Sequence, residues 1–227
     1  MKRIITIFII AGILMSCNSS DKTKDHNKNF ATTETVTDSS SKVANEQLVA
    51  IQTNEALIAT ALMAAPEESR AKCKVIGYNI DGEFVTLREG DNEFIVLADD
   101  LNKPGFSAAC YHKDLEPFMA RGRELKAEGK TSREIFDIRE VEVKSGKLQM
   151  GKPGSTLHIY YGAGELYSPN TFNVAGAQYR YVVYLPFATS QSTGLPEKPI
   201  AVNHPWIMNP GTHRAHIMIS PLPEDRE

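Results

Sequence analysis

The chain has 227 residues, with 25 Lys and Arg against 28 Asp and Glu, and a formal net charge of −3. Because this balance is nearly neutral and the basic residues are spread along the chain, the sequence argues against nucleic acid or a strongly anionic surface as the partner. It contains no internal repeat, no heptad pattern and no second long apolar run.

The N-terminal residues have the pattern of an export signal. Lys2 and Arg3 form a positive start, and residues 4–14 form a short apolar run that is too short to cross a bilayer. Leu14-Met15-Ser16-Cys17 resembles the lipobox of bacterial lipoproteins, in which the cysteine is diacylated and becomes the new N-terminus. An ordinary secretory leader that happens to end near a cysteine is the alternative.

The lipobox resemblance implies an address more than an activity. It implies attachment to the membrane through lipid on Cys17 and a place in the bacterial cell envelope, because two or more acyl chains anchor stably. Asn18 follows the cysteine, so the acidic signal for inner-membrane retention is absent. The expected destination is therefore the outer membrane, with the protein facing the periplasm or the cell surface.

Three regions follow from this pattern. Residues 1–16 form the signal peptide, and residues 17–45 begin with the lipidated cysteine and continue as a polar segment. With few apolar side chains to bury, that segment is expected to be a disordered tether. Residues 46–227 are long enough for one folded domain with its own core.

The first half of this domain predicts a helix, three strands and two further helices. Helix formers and an apolar stripe predict a helix over residues 46–64, ended by Pro66. Strands are predicted over 73–80, 83–89 and 93–98, joined as an antiparallel meander by Asp-Gly and Gly-Asp-Asn turns. A helix over 114–129, with Asp114 as N-cap, precedes a shorter helix that begins with a capping box at Thr131 and ends near Arg139.

The second half predicts strands separated by long loops. Alternation over 140–144 and a turn at Ser145-Gly146 predict a hairpin with 147–150, and further strands are expected over 156–161, 179–185 and 214–219. The fold class is therefore α+β, with an N-terminal helix, a meander, two helices and a second group of antiparallel strands. The tyrosines of this half are interpreted as cross-strand packing pairs.

The cysteine count predicts one disulfide. With Cys17 modified by lipid, Cys73 and Cys110 remain as an even pair in an oxidising compartment. Such a bond would stabilise the fold by about 4 kcal/mol on chain-entropy grounds. The alternative is that Cys110 is a free nucleophile activated by His112.

A binding site is expected in the loops over residues 186–213. Trp206 is the only tryptophan of the chain, and an indole beside hydrogen-bonding groups can stack on a sugar or an aromatic ligand. The candidate binding residues are therefore His204, Trp206, Asn209, His213 and Arg214. The alternative for Trp206 is a place in the core. The leading function is a non-enzymatic envelope lipoprotein that binds a protein, a glycan or a small molecule.

An enzyme is the second hypothesis. Its candidate catalytic residues are His112, His204 and His216, with or without zinc. The His213-Arg-Ala-His216 spacing suits two ligands on a helix, but the apolar residues that follow predict a strand, where positions three apart point to opposite sides. No metal ligand is therefore assigned. A structural envelope protein is the third hypothesis.

Overall fold

One eight-stranded sheet organises residues 47–221, the part of the chain that this computed structural model describes. The predicted signal peptide, Cys17 and the tether lie outside the described residues. The strands in chain order are β1 (Val49–Ala50), β2 (Lys74–Tyr78), β3 (Phe84–Arg88), β4 (Phe94–Leu97), β5 (Phe106–His112), β6 (Thr156–Gly162), β7 (Leu166–Tyr167), β8 (Gln178–Tyr184), β9 (Trp206–Met208) and β10 (His216–Ile219). The helices are α1 (Asn54–Leu62), α2 (Glu116–Ala127), α3 (Ser132–Lys144) and α4 (Ser190–Thr193), with 3-10 segments at Glu67–Lys72 and Lys113–Leu115.

The sheet is antiparallel in all but one pairing. Its strand order is β3-β2-β4-β5-β6-β8-β10-β9, and only β2 and β4 run parallel. The short strands β1 and β7 form a separate antiparallel pair. The α+β class predicted from the sequence is confirmed.

Helix α1 begins later than the predicted range of residues 46–64. Thr53 has extended backbone angles, and its hydroxyl accepts a hydrogen bond from the backbone of Ala56 at 3.1 Å. A threonine in this position starts a helix rather than continuing one. The prediction of helix before Thr53 is therefore wrong, and part of that stretch forms β1.

The hairpin of β2 and β3 is confirmed, but the third predicted strand lies elsewhere. Strand β4 crosses to the other side of β2 and runs parallel with it, so the three strands do not form a meander. The unbroken apolar run of β4 suits an interior strand, whereas the residues of β3 remain half-buried or exposed at an edge. At the crossing, a Cβ on Gly90 would lie 2.2 Å from the backbone N of Lys74, so this approach requires glycine.

Helix α2 has a different N-terminal boundary from the predicted one. Asp114 is not the N-cap, because it lies inside a 3-10 turn whose own cap is His112. The ring of His112 accepts a hydrogen bond from the backbone N–H of Asp114 at 3.2 Å. The other end of the helix agrees with the prediction, since Gly129 follows the C-cap with a φ of +80°.

Helix α3 is longer than predicted. The capping box of Thr131 and Glu134 is confirmed, but the helix continues to Lys144. The predicted strand over 140–144 is therefore wrong, and no strand forms over 147–150. Glu140 and Lys144 instead form an ion pair of 2.6 Å along the helix, at the favourable i, i+4 spacing.

The predicted strands of the last third do not form a second sheet. They are β6, β8 and β10, and β6 pairs with β5 so that both groups of strands make one sheet. Strand β9 adds to β10 at the edge. Every helix among residues 47–221 is too short or too polar to span a membrane.

Each side of the sheet packs a separate core. On the side that we call the α1 face, buried residues of α1 pack on the sheet: Leu57 and Ala61 with Cys73, Val75, Val96, Cys110 and Tyr160. On the side that we call the α2–α3 face, Leu115 and Phe118 pack with Tyr111, Val182, Tyr184 and Met218.

Candidate functional site

The three histidines of the enzyme hypothesis lie apart. His112 pairs with Phe94, a residue packed on the α1 face, whereas His216 pairs with Tyr184 on the α2–α3 face. Strands β6 and β8 separate β5 from β10, so the backbones of His112 and His216 lie about 14 Å or more apart. His204 lies before β9, four residues from the partner of His216. The structure does not bring them into one catalytic group.

The candidate binding residues near the tryptophan also divide between locations. Trp206 is half-buried and packs against the core of the α2–α3 face beside Met218. Asn209 has a φ of +52° and opens the turn that leads to β10, with its carbonyl accepting the hydroxyl of Thr212 at 2.8 Å. His204 is half-buried, and its Nδ1 has no partner among the described residues.

His213 and Arg214 enter a buried polar cluster on the α2–α3 face. His213 is fully buried, and its backbone N–H and its ring Nδ1 both contact the carboxylate of Glu140. The rings of Phe118 and Phe136 contact the imidazole edge-on, at 5.7 and 4.8 Å between centroids. His213 Nε2 has no partner among residues 47–221.

Burial and hydrogen bonding set the charges of this pair. Burial raises the pKa of Glu140, but hydrogen bonds from Lys144 and from His213 outweigh it and hold the pKa at about 2. Burial lowers the pKa of His213, and the carboxylate of Glu140 offsets only part of that effect. At neutral pH the pair is therefore a carboxylate and a neutral imidazole whose Nδ1–H donates to it.

Two arginines complete the cluster. Arg139 donates to the carbonyl of Phe118 at 3.1 Å and stacks on that ring, with the guanidinium carbon 3.9 Å from the centroid. Burial, together with the positive charge of Arg214, lowers the pKa of Arg139 to about 10. A Cβ on Gly122 would lie 2.9 Å from Arg139 Nη1, so this helical glycine makes room for the guanidinium.

The two thiols lie together on the α1 face. Cys73 and Cys110 are both buried and unbonded, with a hydrogen bond between their side chains. That bond, outweighing the effect of burial, lowers the pKa of Cys73 to about 7, whereas it raises the pKa of Cys110. Cys73 immediately precedes β2, and strand β4 lies between β2 and β5. A covalent bond would therefore need local movement of the chain at Cys73.

A cavity of about 390 Å³ opens on the α1 face where the helix ends. Its floor is a row of aromatic rings on β6 and β8 that the helix does not cover: His158, Tyr179 and Tyr181. The opposite wall is the chain after α1, residues 63–67, together with Arg70. The volume falls in the range of pockets that bind small molecules.

The aromatic row is held by stacking and by hydrogen bonds to the end of α1. Tyr179 stacks on the buried ring of Tyr160 at 4.7 Å and lies 6.2 Å from Tyr181, nearly parallel to it. The Tyr179 hydroxyl donates to the carbonyl of Met63 at 3.1 Å. Burial lowers the pKa of His158, and a hydrogen bond to the backbone of Ala64 partly opposes that shift.

The rim of the cavity carries opposite charges. Glu67 is exposed, and the guanidinium of Arg70 is held by a bond of 3.1 Å from its Nε to the carbonyl of Ala65. An aromatic floor with a carboxylate and a guanidinium at its edge can stack on a ring and hydrogen-bond its substituents. We call this cavity, lined by residues 63–67, Arg70, His158, Tyr179 and Tyr181, the aromatic pocket.

A second, shallower cavity of about 290 Å³ lies beside His112. Its wall is the turn Lys152–Thr156, with Phe94 and Asp114. Among residues 47–221, no three His, Cys, Asp or Glu side chains gather in a way that could hold a metal ion. The site chemistry described for this part of the chain is therefore that of aromatic rings, guanidinium groups and one thiol pair.

Comparison with protein-family models, with curated proteins and with solved structures finds no match. The chemistry of the described residues is thus the basis for any assignment of function.

Sequence reasoning missed the aromatic pocket and half of the buried cluster. Tyr179 and Tyr181 are interpreted from the sequence only as cross-strand packing residues, His158 has no predicted role, and Arg139 and Glu140 fall at a wrongly predicted helix end. The alternation of Tyr179 and Tyr181 on one strand face was the available signal for an aromatic surface. The sequence carried no signal that α1 would end short of these rings.

Proposed function

We propose that this protein is a cell-envelope lipoprotein whose domain binds a small ring-bearing ligand of the saccharide class in the aromatic pocket, without catalysis. The observation that carries the proposal is the nearly parallel pair of Tyr179 and Tyr181 on the pocket floor. Sugar rings present flat C–H faces that stack on such rings, and their hydroxyl groups pair with carboxylates and guanidinium groups.

The polar groups of the pocket favour binding over catalysis. The described residues that line the pocket include no serine, threonine or cysteine beside Glu67 and Arg70, and the imidazole of His158 is already hydrogen-bonded to the end of α1. A general base needs a free position toward the proton that it takes up. The pocket therefore offers stacking and hydrogen bonds but no described acid–base pair.

Titration calorimetry with maltose and with N,N′-diacetylchitobiose tests the binding proposal. We expect saturable binding of at least one disaccharide by the wild type, and at least a tenfold loss of affinity in Tyr181→Ala, because one stacking face is removed. The matched control is Tyr78→Ala, since Tyr78 is an exposed tyrosine on β2, outside the pocket. Equal affinities in wild type and Tyr181→Ala, or no binding of either sugar, would contradict the proposal.

The envelope address rests on the lipobox and is tested separately. We expect the wild type to incorporate labelled fatty acid and to fractionate with the membrane, and Cys17→Ser to lose both properties. Fractionation of inner and outer membranes then tests the expected outer-membrane destination. Labelling of the Cys17→Ser variant at the wild-type level would overturn the lipid anchor without affecting the pocket.

A further inference from the structure

The buried cluster of the α2–α3 face has more positive charge than its acidic neighbours neutralise. Arg139 is 8% exposed and His213 is 0% exposed, yet Arg139 Nε, His213 Nε2 and the buried Nε of Arg214 have no hydrogen-bond partner among residues 47–221. The two arginine Nε–H groups are unsatisfied donors on charged side chains, and leaving such a donor buried is costly, so native proteins seldom do so.

The two glutamates of α3 that follow Arg139 in the chain, Glu140 and Glu142, are already engaged. Glu140 contacts His213 and forms an ion pair with Lys144, and Glu142 receives two guanidinium N–H groups of Arg121 at 2.9 and 3.1 Å. Within the described residues, neither Arg139 nor Arg214 forms an ion pair with a carboxylate. Arg139 has instead a carbonyl and an aromatic face, and Arg214 lies over the ring of Phe136 at 5.8 Å.

We propose that Arg139 and Arg214, packed around His213, form a binding site for one small oxyanion of the phosphate or sulfate type. The two guanidinium groups come from α3 and from the turn before β10, and each lies over a phenylalanine ring that contacts His213. Guanidinium groups present several donors to tetrahedral oxyanions, and such charge-assisted hydrogen bonds are among the strongest in proteins.

The surroundings of the cluster support a built site. Gly122 on α2 leaves the space that the guanidinium of Arg139 occupies, at a helical position where glycine is otherwise unfavourable. Phe118 and Phe136 fix the imidazole of His213 from two sides. Arg214 is half-buried and lies over the half-buried ring of Phe136, so this side of the cluster is partly in contact with solvent. This site lies on the opposite face from the aromatic pocket and is independent of it.

The test is calorimetric titration of the full-length protein with inorganic phosphate, at constant ionic strength set with chloride. We expect saturable binding to the wild type and at least about a tenfold weaker affinity in Arg214→Met, because a charge-assisted bond is lost. Arg133→Met is the matched control, since Arg133 of α3 lies over the same Phe136 ring as Arg214 but is largely exposed. It should bind phosphate like the wild type.

Two further variants protect the test against loss of folding. Arg214→Lys keeps the charge and should retain partial binding. Arg139→Met should bind no phosphate and, in phosphate-free chloride buffer, should melt at the same temperature as the wild type or higher, because an uncompensated buried charge has been removed. Absence of saturable binding by the wild type, or equal affinities in wild type and Arg214→Met, would overturn the proposal.

Discussion

The α1 face and the α2–α3 face bury different chemistry against the same sheet. Beneath α1 the buried residues on the sheet are aliphatic and aromatic, with the thiols of Cys73 and Cys110 among them. Beneath α2 and α3 the buried residues include Arg139, His213 and His216. The first core can thus respond to oxidation, whereas the second responds to protons and to anions.

This difference also separates the two candidate sites. The aromatic pocket exists because α1 ends before it covers Tyr179 and Tyr181, so it is an opening at the margin of an apolar core. The oxyanion site lies inside its core and depends on the packing of Phe118 and Phe136. Substitutions that separate packing from charge can therefore test whether the two faces differ as described.

The largest effect is expected from replacing the aromatic ring that supports Arg139. Phe118→Leu keeps an apolar side chain of similar size, a change that usually costs less than about 1.5 kcal/mol. Here it also removes a buried cation–π contact of about 2 kcal/mol. We expect a total loss of about 3 kcal/mol, measured as the free energy of urea unfolding.

The matched substitution on the other face is Phe106→Leu. Phe106 is as deeply buried as Phe118, but its aromatic contact is the ring edge of Tyr160 rather than a guanidinium. We expect a loss of about 1 kcal/mol, since repacking is the main effect. Equal losses at the two positions would show that the contact between Arg139 and Phe118 adds nothing to the stability of the α2–α3 face.

A smaller and conditional effect is expected from oxidation of the α1 face. Exposure to oxidised glutathione should couple Cys73 to Cys110 through a mixed disulfide, with loss of two hydrogen atoms from the mass of the wild-type protein and release of two reduced glutathione molecules, whereas Cys110→Ala cannot form the intramolecular bond. The chain-entropy gain of about 4 kcal/mol should be reduced to about 2 kcal/mol, because β4 lies between the two strands and the bond distorts the chain at Cys73. A mixed disulfide with glutathione that persists on Cys73 would argue against the predicted bond.

The sequence was sufficient for elements whose signals are local. The Asp81-Gly82 turn predicted the hairpin of β2 and β3, and the capping box at Thr131 predicted the start of α3. Both depend on hydrogen bonds or turns within a few residues, so no distant contact can change them. Strand alternation likewise placed β6, β8 and β10.

The misassigned elements are those that depend on tertiary contacts. Glu140-Val-Glu-Val alternates like a strand, yet it continues α3 because Glu140 bonds His213 and Lys144 and Val143 packs on the sheet. Strand β4 could pair with either edge of the β2–β3 hairpin, and its own sequence does not determine that it pairs with β2. For the same reason, the partners of His213 could not be derived from the spacing of its own segment.

The last prediction concerns Glu140, the carboxylate that contacts His213 on the α2–α3 face. Its folded-state pKa of about 2 lies below the unfolded value of about 4.3, so its contribution is full above pH 4.3 and is lost as pH falls toward 2. The side chain is 16% exposed but its partner Lys144 is 59% exposed, so solvent screens part of the interaction. We expect Glu140→Gln to lower the free energy of unfolding by about 1–2 kcal/mol at pH 7.

The pH dependence of that loss distinguishes charge from packing. The lowered pKa of His213 also decreases stability as the pH falls, but at higher pH than Glu140 does. Below about pH 6.5 this histidine is protonated more in the unfolded chain than in the folded protein, so the free energy of unfolding decreases. Urea unfolding from pH 7 to pH 3 should therefore show a decline in both proteins near pH 6, with the further decline below pH 4.3 reduced in Glu140→Gln. Glu124→Gln is the control, since this glutamate is 61% exposed in its pair with Arg121 and should leave both declines unchanged. If Glu140→Gln instead lowers stability equally at every pH, Glu140 acts by holding the turn at His213 in place and not by its charge.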